Sequence, residues 1–143
     1  MHPYRLYTVG RQLTSGVDLS KARESFRRDP SAFDNGDWSQ GIMDAALLGL
    51  TDVSARMLID RATMGPGYGY RFPAFGPPGP DSDPPADQIA NHNSALNWML
   101  LQPGDDPSGS VVVFPAWPCW DVAFKLAAPR NTTVELSYQR GQI

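Results

Sequence analysis

The side chains best suited to proton transfer and to binding a hydroxyl-rich ligand are grouped on one predicted helix, which begins near Asp87. Asn91, His92 and Asn93 follow shortly after it. Amide and imidazole groups donate and accept hydrogen bonds as hydroxyl groups do, so this cluster is compatible with a sugar-like ligand. Two structural interpretations stay open, because such residues are common on solvent-exposed helices and a carboxylate at position 87 is equally suited to capping a helix.

Aromatic residues form a second set of candidates. Trp38 opens a predicted helix beside a loop, and its indole could stack on a sugar face, although core packing is the commoner role of such a residue. Residues 65–87 read as a long loop rich in glycine and proline, with Tyr68, Tyr70 and Phe72 in its first half. A loop of about 20 residues within a compact domain is usually functional or disordered. The aromatic residues favour a packed loop that faces a ligand or a neighbouring domain.

Metal and thiol chemistry find little support in the sequence. His92 has no second ligand one helical turn away, and His2 is the other histidine of the chain, so we predict no metal site and no cofactor. Cys119 is the single cysteine, which excludes an internal disulfide, and no histidine lies near it in the sequence to activate its thiol.

The composition is that of a folded domain, with 143 residues, 41% of them hydrophobic and 19% charged. The formal net charge of −3 gives no sign of the basic surface that nucleic acids require. No apolar run reaches the roughly 18 residues of a membrane span, and the first ten residues lack the apolar core of a secretory signal. We therefore predict neither a nucleic-acid nor a membrane partner. The cellular location stays open, and so does export of a longer parent protein.

Hydrophobic spacing predicts four helices followed by three strands, while residues 1–16 carry no firm pattern. This order is typical of an α+β fold, here helical hairpins followed by a small antiparallel β segment, which we place at 1–109 and 110–143. Neither part is large enough to cover its own apolar faces, so exposed faces predict self-association or a longer parent protein. The helices are expected at 18–28 (capped by Asp18), 38–48 (capped by Asp37), 53–63 and 86–102, and the strands at 111–114, 120–126 and 132–138.

Two stretches in the second half, Met99-Leu100-Leu101-Gln102 and Phe114-Pro115-Ala116-Trp117-Pro118, resemble segments of a known family. They are similar to the Met-Leu-Leu-Gln helix end and the Leu-Pro-Ala-Leu-Pro-like strand of glycoside hydrolase family 95, the α-L-fucosidase type. Residues 125–138 resemble the text that follows in that family without a gap, and Pro84-Pro85 also has a family equivalent. The resemblance covers residues 80–143 well and 38–64 loosely.

The resemblance implies the end of a six-hairpin α/α toroid followed by the start of a C-terminal β-sandwich. It also implies inverting hydrolysis of a terminal fucosyl or related linkage without a metal, in which a glutamic acid protonates the leaving oxygen and asparagines helped by an aspartate orient water. Counting back from Gln102 without gaps matches the aspartate to Asp87, whereas anchoring on Gln88-Ile89 places Ala90 there. The glycine-rich segment that follows the family's aspartate is replaced here by Asn91-His92-Asn93.

The glutamates indicate an incomplete catalytic set. The chain has two, Glu24 on the polar side of a short helix and Glu135 on a strand, whereas a general acid needs apolar surroundings that raise its pKa. We expect a partial glycoside hydrolase that binds a glycan and is inactive alone. The alternatives are a carbohydrate-binding or structural fragment without catalysis, and a small helical protein that contacts other proteins. The predicted site consists of Asp87 as the catalytic residue and of Asn91, His92, Asn93, Trp38 and Tyr70 as substrate-binding residues.

Overall fold

The computed structural model describes residues 5–33, 39–63 and 86–143, with the backbone alone over 86–89. In this part of the chain, five α-helices and one 3-10 turn are combined with four short strands in antiparallel pairs, which confirms the predicted α+β class. The elements are α1 (Val9–Ser15), α2 (Ser20–Arg28), the 3-10 turn (Pro30–Phe33), α3 (Gly41–Leu47), α4 (Thr51–Thr63), α5 (Ala86–Leu100), β1 (Leu101–Pro103), β2 (Val111–Val113), β3 (Val122–Ala128) and β4 (Thr132–Tyr138).

Helix α3 is the centre of the helical part and contacts both α4 and α5. Ile42 and Ala46 of α3 share one buried apolar cluster with Met57 of α4 and Met99 of α5. Ile42 and Ala46 are four residues apart, the spacing at which a helix buries one face, so helical periodicity accounts for this part of the core. The chain turns tightly from α3 into α4 because Gly49 adopts a left-handed φ of 69°, which glycine reaches without steric cost.

Helix α2 closes a second apolar cluster on the other side of α3. Leu19 and Phe26 are buried there against Ala45 and Leu48. The predicted cap, Asp18, lies one residue too early, since Leu19 occupies the N-cap position. The Asp18 carboxylate instead accepts hydrogen bonds from the backbone N–H and the hydroxyl of Ser20 at 2.9 and 2.8 Å, which lower the pKa of that carboxyl.

Helix α1 lies within residues 1–16, where we predicted no element, and it docks on β1. Its residue Gly10 is buried directly beneath Pro103, and a side chain at position 10 would collide with the Pro103 carbonyl. The Thr8 hydroxyl accepts a hydrogen bond from the Arg11 N–H at 3.1 Å and so caps the helix. A seven-residue helix has little stability of its own, so α1 depends on this docking.

The four strands form two separate two-stranded sheets rather than one. β1 pairs with β2, with Leu101 opposite Val113, and β3 pairs with β4, with Val122 opposite Tyr138. The three predicted strands are therefore present, as β2, β3 and β4. β2 pairs with β1, whose first two residues were predicted to end the fourth helix. That helix, α5, ends at Leu100 instead of residue 102.

A bent segment after β2 joins the helical and β parts. The Phe114 N–H donates to the Leu100 carbonyl at 2.8 Å, and the Ala116 N–H donates to the Met99 carbonyl at 3.3 Å. Ala116 is fully buried in the helical cluster, while the Phe114 ring contacts Phe124, with 5.9 Å between ring centroids. The predicted boundary after residue 109 stays a prediction, and the β1–β2 pair crosses it.

The predicted start of the second helix is wrong by three residues. Helix α3 begins at Gly41, after Ser39 and Gln40 in non-helical backbone, while the predicted cap Asp37 and first residue Trp38 lie outside the described residues. Helix α4 begins at Thr51, two residues before the predicted start. Such shifts are usual at helix ends, where capping and not periodicity decides the first residue.

Candidate functional site

Three of the six predicted site residues lie where their side chains are not described. Asp87 is in the first turn of α5, where the structure gives the backbone alone. Trp38 and Tyr70 lie outside the described ranges. The helical position of Asp87 is compatible with both of its interpretations, as a first-turn acid beside the helix dipole and as a catalytic carboxylate, so its role stays a prediction.

The other three predicted residues are consecutive in α5 and therefore spread around the helix axis by about 100° per residue. Asn91 and His92 are half-buried, whereas Asn93 is exposed. A single ligand on one side of the helix can reach two neighbouring members of this set more readily than all three. The structure thus groups Asn91 with His92 and sets Asn93 apart.

His92 lies against α4, where Arg61 is 2% exposed. Burial, and secondly the positive charge of Arg61, lower the pKa of the His92 imidazole below its ordinary value. The ring is therefore neutral at neutral pH, and its buried Nδ1 has no hydrogen-bond partner among the described residues. A neutral imidazole offers one donor and one acceptor, which suits hydroxyl recognition.

Neither glutamate is placed as a general acid. Glu24 is bonded to Arg28 at 2.7 Å, and Glu135 is bonded across the β3–β4 pair to Lys125 at 2.8 Å. The Glu24 side chain is 52% exposed and that of Glu135 is 70% exposed, so both carboxylates are solvated and paired with cations. A general acid needs apolar surroundings that exclude water, whereas these two carboxylates are open to solvent.

The clearest cavity of the described residues is a cleft of about 500 Å³ between α5 and the β3–β4 turn, which we call the α5 cleft. Its helical wall carries Ser94, Asn97 and Trp98, at positions i, i+3 and i+4 of one face of α5, and Leu101, the first residue of β1, continues this wall. The opposite wall is the apolar segment 126–129. The volume lies within the roughly 300–1,000 Å³ that is usual for small-ligand sites.

A cation lies over the aromatic ring of the α5 cleft. The guanidinium carbon of Arg5 is 4.6 Å from the centroid of the Trp98 ring, within the usual limit of about 6 Å for a cation–π contact. The rest of the Trp98 side chain packs against the helical apolar cluster. Trp98 is thus shared between the apolar cluster and the cation–π contact with Arg5.

The end of α5 is held in place by Gln102, which is fully buried. Its Nε2 donates to the carbonyls of Trp98 at 3.0 Å and Ala46 at 2.9 Å, and its Oε1 accepts from the Gly10 N–H at 3.2 Å. One amide thus connects α1, α3 and α5 at the point where helix becomes strand. This network fixes the backbone that carries the Trp98 side of the cleft.

The α5 cleft was not predicted, although part of its signal is present in the sequence. Local spacing places Ser94, Asn97 and Trp98 on one face of a helix, but it does not indicate that this face borders a cavity. Arg5 contacts Trp98 across more than 90 residues of sequence, and segment 126–129 faces α5 across about 25 to 35 residues, so no local pattern reveals either contribution. Among the described residues that line it, the cleft has hydrogen-bond donors, acceptors and an apolar wall, which suit the binding of a small polar ligand.

No family model, no curated protein and no solved structure matches this chain. Within the described ranges, no helix combines the length and apolar character of a membrane span. The same residues contain no group of three histidine, cysteine, aspartate or glutamate side chains placed to hold a metal ion.

Proposed function

We propose that this chain is part of a carbohydrate-active protein of the α-L-fucosidase type, the end of an α/α toroid followed by the first strands of a β-sandwich. Its parent would hydrolyse a terminal glycosidic bond with inversion, and this chain would contribute the aspartate, Asp87, and part of the glycan-binding surface. The observation that carries the proposal is the packing of the two segments that resemble the family.

Those segments, Met99–Gln102 and Phe114–Pro118, are separated by 11 residues of sequence, yet they lie side by side. Their backbones are connected by hydrogen bonds from Phe114 to Leu100 and from Ala116 to Met99, at 2.8 and 3.3 Å. The first segment is the end of α5 with the start of β1. The resemblance implies a strand at the second, where the structure instead has a bend and turn directly after β2. The helical hairpin of α3 and α4, packed on α5, also agrees with a toroid built from paired helices.

The ion-paired state of both glutamates supports a chain without its own general acid. Inverting hydrolysis needs a protonated carboxyl group on one side of the bond and a group that orients water on the other. Glu24 and Glu135 are exposed and paired with cations, so neither supplies the proton. We therefore propose that the isolated chain binds the glycan and does not cleave it.

The test is to measure both binding of L-fucose by calorimetry and hydrolysis of an aryl α-L-fucoside by the purified chain. Saturable fucose binding without turnover is expected, and Asp87→Asn should weaken it. Asp52→Asn, which changes an exposed first-turn acid of α4, is the matched control and should bind as the wild type does. Absence of fucose binding contradicts the proposal, and turnover that Asp87→Asn abolishes contradicts the statement that the chain is incomplete.

A second candidate, glycan binding without catalysis in any parent, is favoured by the α5 cleft, which combines an aromatic ring, an amide and a hydroxyl without a carboxylate. It predicts that Asn97→Ala weakens glycan binding while Asp87→Asn leaves it unchanged. The two candidates are thus separated by which of these variants loses affinity in the same calorimetric titration.

The proposal extends to self-association, because several apolar side chains face solvent. Leu13 is 66% exposed on α1, and Ile59 is 45% exposed on α4. In a toroid such faces would meet neighbouring hairpins. Sedimentation at increasing protein concentration should show a rise in mass, which Leu13→Gln combined with Ile59→Gln should abolish; a monomer at all concentrations contradicts this part.

A further inference from the structure

The α5 cleft has an uneven charge distribution. Among the described residues that line it, Arg5 is the one charged side chain, and none of them is a carboxylate. The ion pairs of the described residues join Arg11 to Asp105, Arg28 to Glu24 and Lys125 to Glu135, and they leave Arg5 without an acidic partner in that part of the chain. A guanidinium held at a cavity wall without a carboxylate attracts an anion, most strongly one that matches its planar fork.

The contact with Trp98 gives this cation a fixed direction. An exposed arginine usually samples many rotamers, and a cation–π contact at 4.6 Å reduces that freedom before a ligand arrives. The guanidinium has five N–H donors, and those not directed at the indole are available to a ligand. A carboxylate accepts two such bonds in parallel.

The other residues that line the cleft indicate the chemistry of the rest of the ligand. Ser94 and Asn97 lie one turn apart on α5 and present a hydroxyl and an amide, which pair with ligand hydroxyl groups. Opposite them, Leu126, Ala128 and Pro129 offer an apolar surface for the C–H face of a ring. The cavity of about 500 Å³ accommodates a ring with its substituents. The ligand is therefore a hydroxylated ring that also carries a carboxylate.

We propose that the α5 cleft binds an acidic sugar unit, a uronic acid, with its carboxylate on Arg5 and its hydroxyl groups on Asn97 and Ser94. The proposal rests on the carbohydrate function proposed above and narrows it, since the glycan that carries the terminal neutral sugar would contain a carboxylate. The acidic unit would bind beside the helix end and away from Asp87, which lies at the opposite end of α5.

The test is a calorimetric titration of the full chain with D-glucuronate, with D-glucuronamide as the neutral counterpart and with benzoate as a carboxylate without hydroxyl groups. Glucuronate should bind at least about tenfold more tightly than glucuronamide, a difference equivalent to about 1.4 kcal/mol. Arg5→Gln should remove that preference, and Arg5→Lys should retain part of it, because lysine keeps the charge and loses the fork. Arg27→Gln, at an exposed arginine of α2 outside the cleft, is the matched control and should change nothing.

Equal affinity for glucuronate and glucuronamide, unchanged binding by Arg5→Gln, or no saturable binding of glucuronate overturns the inference. These results leave the L-fucose test intact, since fucose has no carboxylate. Benzoate that binds as tightly as glucuronate overturns the assignment to a sugar and also counts against the carbohydrate function. Thermal unfolding of each variant, monitored by circular dichroism, establishes that a loss of affinity does not arise from a loss of folded protein.

Discussion

Replacing Gln102 by methionine tests the network at the end of α5. Methionine has about the same length, so it fills the space, but it cannot donate to the carbonyls of Trp98 and Ala46 or accept from the buried Gly10 N–H. An unpaired buried donor costs about 1–3 kcal/mol, and each lost hydrogen bond contributes about 1 kcal/mol. The Ala46 carbonyl still accepts a hydrogen bond from the Gly49 N–H at 3.1 Å. The loss of the Gln102 bond therefore costs less free energy at this carbonyl.

The sum is a fall of about 3 kcal/mol in the free energy of unfolding, or about 10 °C in Tm for a domain of this size. Urea unfolding monitored by far-ultraviolet circular dichroism measures it, and amide exchange at Gly10 should accelerate because its acceptor is removed. Gln139→Met makes the same change at an exposed position and should alter stability by less than about 0.5 kcal/mol. If both variants lose the same small amount, the network does not hold the helix end and the reasoning is refuted.

Three further predictions concern pH, docking and the β hairpin. Burial lowers the pKa of His92 below 6.5, so the unfolded chain binds the proton more readily than the folded chain. The free energy of unfolding should therefore fall as the pH drops below about 6.5. Urea titrations at several pH values should show a smaller fall for His92→Gln, and the same dependence on pH in both proteins would contradict this. Gly10→Ala should destabilise by about 1–3 kcal/mol because the new methyl group collides with the Pro103 carbonyl, and a raised Tm would refute the docking of α1. A double-mutant cycle on Lys125 and Glu135 should give a coupling below about 1 kcal/mol, since both side chains are solvated, and a larger value would show that the pair orders the hairpin.

The helices with a clear apolar stripe could be predicted from the sequence, because burial of one face repeats every three to four residues. The stripe that places Ile42 and Ala46 in the core is an example. Helix α1 could not be predicted in this way, since its stability comes from an acceptor 92 residues away and from the absence of a side chain at Gly10. β1 was missed for a related reason: it exists only because β2 pairs with it, and its residues continue the apolar pattern of α5.

For the candidate site, too, local sequence patterns are informative while long-range contacts are not visible in the sequence. The spacing of residues on α5 predicted that this helix carries polar groups suited to a hydroxyl-rich ligand, and His92 and Asn91 do lie together in half-buried positions. The α5 cleft depends on Arg5 and on the β3–β4 turn, which reach Trp98 only in the folded chain. A binding site made from three distant segments leaves no local sequence pattern. Its side chains must be close to one another in the folded chain, and this does not require them to be neighbours in the sequence.

Gln102 also bears on how far the resemblance extends to chemistry. It is the last residue of the Met-Leu-Leu-Gln segment, and in this structure its amide bonds only to backbone groups, where it completes the passage from α5 to β1. A glutamine in this position is therefore required by the fold, whatever the protein binds. The segment therefore bears on the proposed architecture, while the proposed activity depends on Asp87 at the other end of the same helix. The Gln102→Met and Asp87→Asn variants accordingly test separate claims: the first should lose stability and the second should lose affinity for the sugar while keeping its stability.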